Sequence, residues 1–479
     1  MPNLLNSLLS SANALRVFER VLVVSQNNVA NASTPGYAAQ RLSLQAVDFQ
    51  PELGLMGGVR AGHVESARSL YAEQAVRRQC ESLGFFSQAA QSLASIESAF
   101  DISGQRGISG ALNRLFESFS AWSLTPNSAN ARASVIESAG QLSDAFHETA
   151  SMLAGATIDA DRQIRETIAQ INRIGARLQE YNLEGRRGAI EEAGLDTRIQ
   201  AALEELSELV NFDAIFQADG TVTVLLGGET PLVVGANRYE VSASFFTPPN
   251  PPPVYAAATP SAHVLDANGR DITYQIDQGK LGGLLNVRNE VLPSLRGDGQ
   301  QPGELNQLAM SIADRVNAIL TSGRVSDGPP PENGVPLFTY DAGNQTLAAQ
   351  SLAVRPGITA EQLAAIDPGP PYVSNGIALR LAALASPRDP SDKIDGFSYT
   401  EFYGGIAGRV GQALSEAREG QEFKAQMVSQ ARYLRNEISG VSLNEEAMRI
   451  TEFQRAYQAN ARMVTLLDEL TETAVNLLR

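Results

Sequence analysis

The side chains best suited to nucleophilic or metal chemistry are three histidines, His63, His147 and His263, and one cysteine, Cys80, spread far apart over 479 residues. A single cysteine excludes an intramolecular disulfide framework and any cysteine-rich zinc module, and on a helix it reads as a small packed residue. Asp266-x-Asn268-Gly269-x-Asp271 is rich in oxygen ligands, but its glycine falls out of register for an EF-hand, and a hairpin turn accounts for it. Asp392, Asp395 and Gly396 fail the same register, with Lys393 where a ligand should be. Gly404-Gly405-x-x-Gly408 lacks the spacing of a nucleotide loop and suits a tight packing site or a helix start, and Gly107-x-Ser109-Gly110 is not a nucleophile elbow. The adjacent carboxylates Glu191/Glu192, Glu204/Glu205 and Glu445/Glu446 point to different helix faces, which suits solvated surfaces rather than paired acid–base work. These residues offer no catalytic set, no cofactor site and no metal site.

One loop is built with more purpose. Asn27, Asn28 and Asn31 precede Thr34-Pro35-Gly36-Tyr37, a sequence suited to a type II turn. Pro35 presets φ at the second turn position, Gly36 supplies the positive φ needed at the third, and Thr34 is pushed extended by the proline after it. The asparagines are able to bond backbone groups left open where a helix ends, and Tyr37 gives the emerging strand an amphipathic anchor.

The elements that hold this loop are helix-rich ends around a strand-rich middle. From residue 3 to about 30 the apolar residues Leu5, Leu8, Ala12, Leu15 and Leu22 fall on one helical stripe, followed by an extended segment to about 62. Helix-prone sequence runs from about 70 to 209, with breaks near 103–110, 125–130 and 185–194, as in a bundle. Strand patterns then appear over 212–218 and 221–226 around Asp219-Gly220, over 238–246, and over 263–267 and 271–276 around Asn268-Gly269. Helix is expected again over 281–320, a strand-like patch at 336–340, and two long helices over 397–440 and 442–478. The last helix carries Leu443, Glu446, Ile450, Phe453, Tyr457, Asn460, Val464, Leu467, Thr471, Ala474 and Leu478 at alternating steps of 3 and 4, with Ser442 and Glu445 forming a capping box. That seam suits either an amphipathic helix on its own core or a partner for the helix at the other end of the chain.

The net charge of −16, with 37 basic and 53 acidic residues, argues against nucleic acid and against docking on anionic lipid. No run of about 18 apolar residues suggests a membrane span, and no positive n-region with an apolar core suggests a cleaved signal peptide. On those signals alone the chain reads as soluble and cytoplasmic.

Residues 28–37 (NVANASTPGY) closely resemble the N-terminal signature of the bacterial flagellar axial proteins, the rod, hook and hook-associated proteins, and residues 452–461 (EFQRAYQANA) resemble their C-terminal signature. Three further stretches, 279–293 (GKLGGLLNVRNEVLP), 337–341 (LFTYD) and 440–446 (GVSLNEE), are similar to the members found at the hook–filament junction, while 455–460 is closer to the rod and hook wording. The resemblance implies a mainly α, multidomain fold. Residues 1–35 and 440–479 would form a terminal coiled coil, 36–212 plus 281–439 a helical bundle domain, and 213–280 a small β domain projecting outward. It further implies no cofactor, type III export without a cleaved signal, extracellular assembly, and ends that fold fully only when they find partners. The implied partners are the hook protein, the second junction protein, an export chaperone and further copies of the chain in a ring. The expected seam pairs Leu5, Leu8, Leu15 and Leu22 with Phe453, Tyr457, Val464, Leu467 and Leu478. Asn28, Asn31, Thr34, Pro35, Gly36 and Tyr37 would set how the chain leaves it. A hook or distal-rod protein of the same family is the nearer alternative, and a cell-wall hydrolase on a flagellar scaffold the more distant one.

Overall fold

The computed structural model describes residues 2–34, 36–50, 55–101, 105–186, 193–217, 219–247, 251–328 and 330–476. The chain opens with α1 (Pro2–Asn31), a long antiparallel hairpin of β1 (Gln40–Gln50) and β2 (Leu55–Ser66), and then α2 (Leu70–Glu97), α3 (Gly107–Leu124), α4 (Ala129–Arg186) and α5 (Ala193–Leu209). The breaks between these helices fall where glycine, proline and asparagine interrupt the apolar period, as the sequence predicts. Strands β3 (Phe212–Phe216), β4 (Val222–Leu226), β5 (Thr230–Val234) and β6 (Asn237–Arg238) form one antiparallel sheet in chain order, and β7 (Ser242–Phe246) pairs with β8 (Ser261–Leu265). There follow α6 (Gly279–Asn286), a π turn over Val287–Val291, α7 (Leu292–Arg296) and α8 (Glu304–Ser322). Short strands β9 (Arg324–Ser326), β10 (Glu332–Asn333), β11 (Phe338–Thr339) and β12 (Ala353–Val354) surround the single-turn α9 (Ala348–Ser351) and precede α10 (Gly376–Ala383). Two long helices, α11 (Tyr399–Ser439) and α12 (Leu443–Asn476), close the chain. Among the described residues no helix is long and apolar enough to cross a membrane.

The chain divides into two compact units, one of Met1–Ser82, Arg173–Tyr239 and Lys424–Arg479, the other of Leu83–Asn172 and Glu240–Phe423. The second unit holds the larger core. Helix α3 contributes Ile108, Leu112, Leu115, Phe119 and Trp122 at helical spacing, all fully buried, against Leu142 and Phe146 of α4, Ile312 and Val316 of α8, and Tyr403 and Ile406 of α11. The first unit packs the β3–β6 sheet on the C-terminal part of α4. There the fully buried Asn182 donates to the carbonyls of Val222 and Gly235 (2.8 Å each) and accepts the Val222 N–H (2.8 Å), which fixes the sheet on the helix.

The fold is mainly α, as expected, but three local expectations are corrected. The strands read as one insert over 213–280 are divided between the units: β3–β6 belong to the first and the β7/β8 pair to the second. Each set lies on α4 because each has an apolar face to bury; in the second unit Arg165 stacks 4.3 Å over Phe245 and Asn172 exchanges two hydrogen bonds with Val241. The turn at Asn268-Gly269 exists, but its second arm is only one bridge, Leu265 to Asp271, followed by a 3-10 turn; β8 takes β7 as its partner instead. The helix expected over 281–320 is interrupted between α7 and α8, where Gly297 and Gly303 take φ of +92° and +81° and their backbones touch.

The 279–293 stretch has a physical reason for its glycines. Gly279 takes φ +72°, and a Cβ on Gly283 would stand 2.6 Å from the Phe85 carbonyl oxygen and 3.2 Å from Gln88 Cβ, so α6 reaches the α2 backbone directly. Gly283→Ala therefore lowers the stability of the second unit by about 1–3 kcal/mol. Urea unfolding followed by the emission of Trp122, the chain's one tryptophan, measures this; an unchanged midpoint would mean that the backbone contact is not tight.

Candidate functional site

Helix α1 is covered on two sides, by the β1/β2 hairpin and by α12. Its most buried positions, Ala14, Val17, Val21, Ser25 and Asn28, recur at steps of 3 and 4. Leu8, Leu15 and Leu22 of the expected seam are half-buried, as is Phe18, whose ring lies 5.8 Å from that of Phe453. On α12, Ile450, Phe453, Asn460, Val464 and Leu467 are half-buried along the expected heptad line, while Tyr457 is 38% exposed. The Leu5 side chain and Leu478 lie outside the described residues. The Phe18–Phe453 contact and an Asn28–Glu446 hydrogen bond make the pair antiparallel. Sequence periodicity finds the α12 line but not the Ala14–Val17–Val21 line, because α1 has two covers and its central contacts use small and β-branched residues.

At the top of this pair sits the loop motif. The Asn28 side chain, fully buried, donates through Nδ2 to the Gln40 carbonyl (2.8 Å) and to Glu446 Oε1 (3.1 Å). Its Oδ1 accepts the Gln40 N–H (2.9 Å) and the Tyr37 hydroxyl (3.0 Å). One amide thus holds the end of α1, the start of β1 and the first turn of α12. Asn31 donates back to the Asn27 carbonyl (2.9 Å), and Thr34 donates to Asn31 Oδ1 (3.3 Å). Gly36 takes φ +73° and the Tyr37 N–H reaches the Thr34 carbonyl (3.2 Å), the bond of the expected turn; Pro35 lies outside the described residues. Burial first, and then the Glu446 carboxylate, raises the pKa of the Tyr37 hydroxyl.

A charged network anchors the loop from beneath. Arg68 donates to the Gly36 carbonyl (2.8 Å), to Asp196 on α5 (2.7 Å) and to Glu73 on α2. Arg435 of α11 bridges Glu73 (3.2 Å) and Glu204 on α5 (2.6 Å), and Arg432 joins Glu204 (2.8 Å). Burial alone would raise the Glu204 pKa, but Arg435 and Arg432 hold it below the usual carboxylate value. Ser439 Oγ accepts the Ser69 N–H (3.0 Å) and its carbonyl the Ala39 N–H (2.9 Å). Two carboxylates read as solvated are therefore structural. Glu204 is tied to the arginines of α11, and Glu446 is 3% exposed beside Asn28 and Arg449. Glu191 and Glu192 lie outside the described residues.

The other candidates lie in ordinary local structure. Asp266 Oδ1 accepts the N–H groups of Asn268 and Arg270 (2.8 Å each), an Asx turn. Gly404, Gly405 and Gly408 lie inside α11 with nothing pressed against them but the Arg409 side chain, so they mark no tight packing site. Burial pushes the Cys80 thiol up to about 11, keeping it protonated and inert. Among the described residues no three of His, Cys, Asp and Glu cluster to hold a metal. Together these contacts join the end of α1, the start of β1 and the first turn of α12 to α2, α5 and α11.

Residues 93–338 match the family described as "Flagellar hook-associated protein FlgK helical domain", and residues 430–477 match "Flagellar basal body rod FlgEFG protein C-terminal". The chain is similar to Flagellar hook-associated protein 1 of Bacillus subtilis, 25% identical over 97% of this chain and 96% of that one. It is also similar to Flagellar hook-associated protein 1 of Salmonella typhimurium, 27% identical over 68% of this chain and 58% of that one. In fold it is similar to the flagellar hook junction protein FlgK of Burkholderia pseudomallei, with a TM-score of 0.63 and 14% identity over 78% of this chain and all of that one.

Asn28→Ala leaves the Gln40 backbone pair and Glu446 without their partner and costs about 2–4 kcal/mol in chemical unfolding of the first unit followed by circular dichroism. Asn28→Asp sets a second carboxylate against Glu446, so it destabilises more than alanine at pH 7. The gap narrows as the pH falls far enough for the introduced aspartate to take up a proton. Equal, pH-independent losses for both variants would refute the direct contact.

Glu81 on α2 supplies a separate test. Burial lifts its pKa from 4.5 to about 7, against a smaller lowering by the Phe212 N–H. Its folded pKa is raised, so its contribution to stability is full below about 4.5 and is lost as the pH rises through 7. Glu81→Gln removes that loss and stabilises the protein at pH 8 relative to pH 5 by up to about 3 kcal/mol. An identical pH–stability profile for wild type and variant would show that Glu81 is not desolvated.

Proposed function

The chain belongs to the family of the flagellar hook-associated protein FlgK, the structural protein of the hook–filament junction, and we propose that its clamped terminal helices are the part that builds the junction. The observation that carries this is the antiparallel α1/α12 pair held by Asn28, which buries one line of each helix and leaves others open. Leu9 and Val23 on α1 and Met463, Leu466 and Leu470 on α12 are each more than half exposed, the surface a helix keeps for neighbours in an assembly. Copies of the chain associate through these faces, presenting one end to the hook protein and the other to the next junction protein. Export proceeds through the flagellar type III route with the help of a chaperone, and the assembled ring stands outside the cell. Of the described side chains, those that hold this arrangement together are Leu8, Leu15, Leu22, Phe453, Val464 and Leu467 at the seam, with Asn28, Asn31, Thr34, Gly36 and Tyr37 at its exit.

The match of residues 430–477 to the rod-protein C-terminal family favours one second reading, a hook or distal-rod subunit. Electron microscopy of a strain lacking this chain separates the two. Complete hooks without filaments support the junction; missing hooks support the second reading; intact filaments would refute both.

Leu467→Asp tests the seam itself. The substitution puts a charge on a half-buried line and forfeits up to about 1.5–3 kcal/mol of burial wherever the helices close on one another. The unfolding midpoint of the second unit, read by Trp122, stays unchanged, while complementation of the deletion strain fails. Normal filaments from the variant would remove Leu467 from the assembly surface.

A further inference from the structure

A groove of about 660 Å³ runs between α1 and the β1/β2 hairpin, and Arg16 and Arg20 of α1 and Arg60 of β2 line it beside a single carboxylate, Asp48. All three guanidinium groups are exposed, and none makes a hydrogen bond or ion pair among the described residues. Three unmatched arginines in one groove are unusual in a chain of net charge −16, where acidic groups are in excess.

The matching charge lies at the end of the same helix pair. Between residues 463 and 476 α12 has no lysine or arginine but carries Asp468, Glu469 and Glu472, all exposed and without ion pairs among the described residues. Carboxylates in the last turns of a helix stand against its dipole, so this cluster is unfavourable until a cation meets it. Leu466 and Leu470 are exposed on the same stretch, and Leu9 is exposed at the rim of the groove.

The two clusters cannot meet within one chain. Phe453 lies against Phe18, so Asp468 is fifteen residues further along α12, about 22 Å from the level of Arg16 and Arg20. We propose that the acidic end of α12 from a second copy of this chain docks in the arginine groove, Asp468, Glu469 and Glu472 facing Arg16, Arg20 and Arg60, with Leu466 or Leu470 against Leu9. The contact joins two different surfaces, so it repeats from copy to copy and closes into a ring when the rotation permits. It rests on the reading of the termini as the assembling part and adds which surface meets which.

The test is a charge swap in the strain lacking this chain. One variant carries Arg16→Glu and Arg20→Glu, a second carries Asp468→Lys, Glu469→Lys and Glu472→Lys, and a third combines both sets. Like charges facing each other lower the fraction of filamented cells at least about tenfold in each of the first two. The combined variant, whose groove and helix end match again, returns to within about twofold of wild type, a rescue that misfolding would not give. Wild-type filamentation in either separate variant overturns the proposal, and so does a combined variant as defective as its parts, which would assign the groove to a different acidic partner. A deletion strain that still makes filaments would instead refute the junction reading, whatever the variants do.

Discussion

One carboxamide decides the geometry of the termini. Asn28 faces a backbone that offers both an N–H and a carbonyl at Gln40, a carboxylate at Glu446 and a hydroxyl at Tyr37, and it answers each from a single buried side chain. Aspartate has no donor for the carbonyl, and leucine has neither donor nor acceptor. Because the three backbone segments it joins belong to α1, β1 and α12, the direction of each depends on the other two. The turn at Gly36 and the hairpin that follows are shaped to keep Gln40 within its reach.

Beneath that amide the charged groups are spent on one another. Arg68, Arg432 and Arg435 pair with Glu73, Asp196 and Glu204, tying the segment before α2 to α2, α5 and α11. A buried network of this kind adds little net stability, since desolvation offsets most of the attraction, but it tolerates few alternative arrangements of the helices it links.

Much of the fold was legible in the residues, and the reasons differ by element. Glycine and proline punctuation located the ends of α2 to α5, α11 and α12, because a helix stops where its period and hydrogen bonding both fail. The α12 line was readable from one periodicity facing one partner. The α1 line was not, because a helix packed on two sides blends two periodicities into one. The strands over 213–280 read as a single insert because hairpin signals are local, whereas their division is decided by which part of α4 each sheet covers. Glu204 and Glu446 read as surface carboxylates for a similar reason: the arginines and the asparagine that bury them are 228 or more residues away along the chain. The glycines near 282 were visible as a family likeness, but their cause, the approach of the Phe85 carbonyl, exists only in three dimensions.

The partners in the Asn28–Glu446 bond are 418 residues apart, nearly the whole length of the chain. In any process that delivers the polypeptide from one end, whether synthesis or threading through a narrow conduit, this bond is among the last that becomes possible. Closing so long a loop costs little more than closing one of half its length, so the delay is one of order rather than of energy. A fragment that stops before residue 446 keeps its α1, its hairpin and most of its core, yet lacks the carboxylate that completes the terminal pair. The clamp is in this sense a check on length: only a chain delivered past residue 446 carries both partners of the bond that ties its terminal helices together.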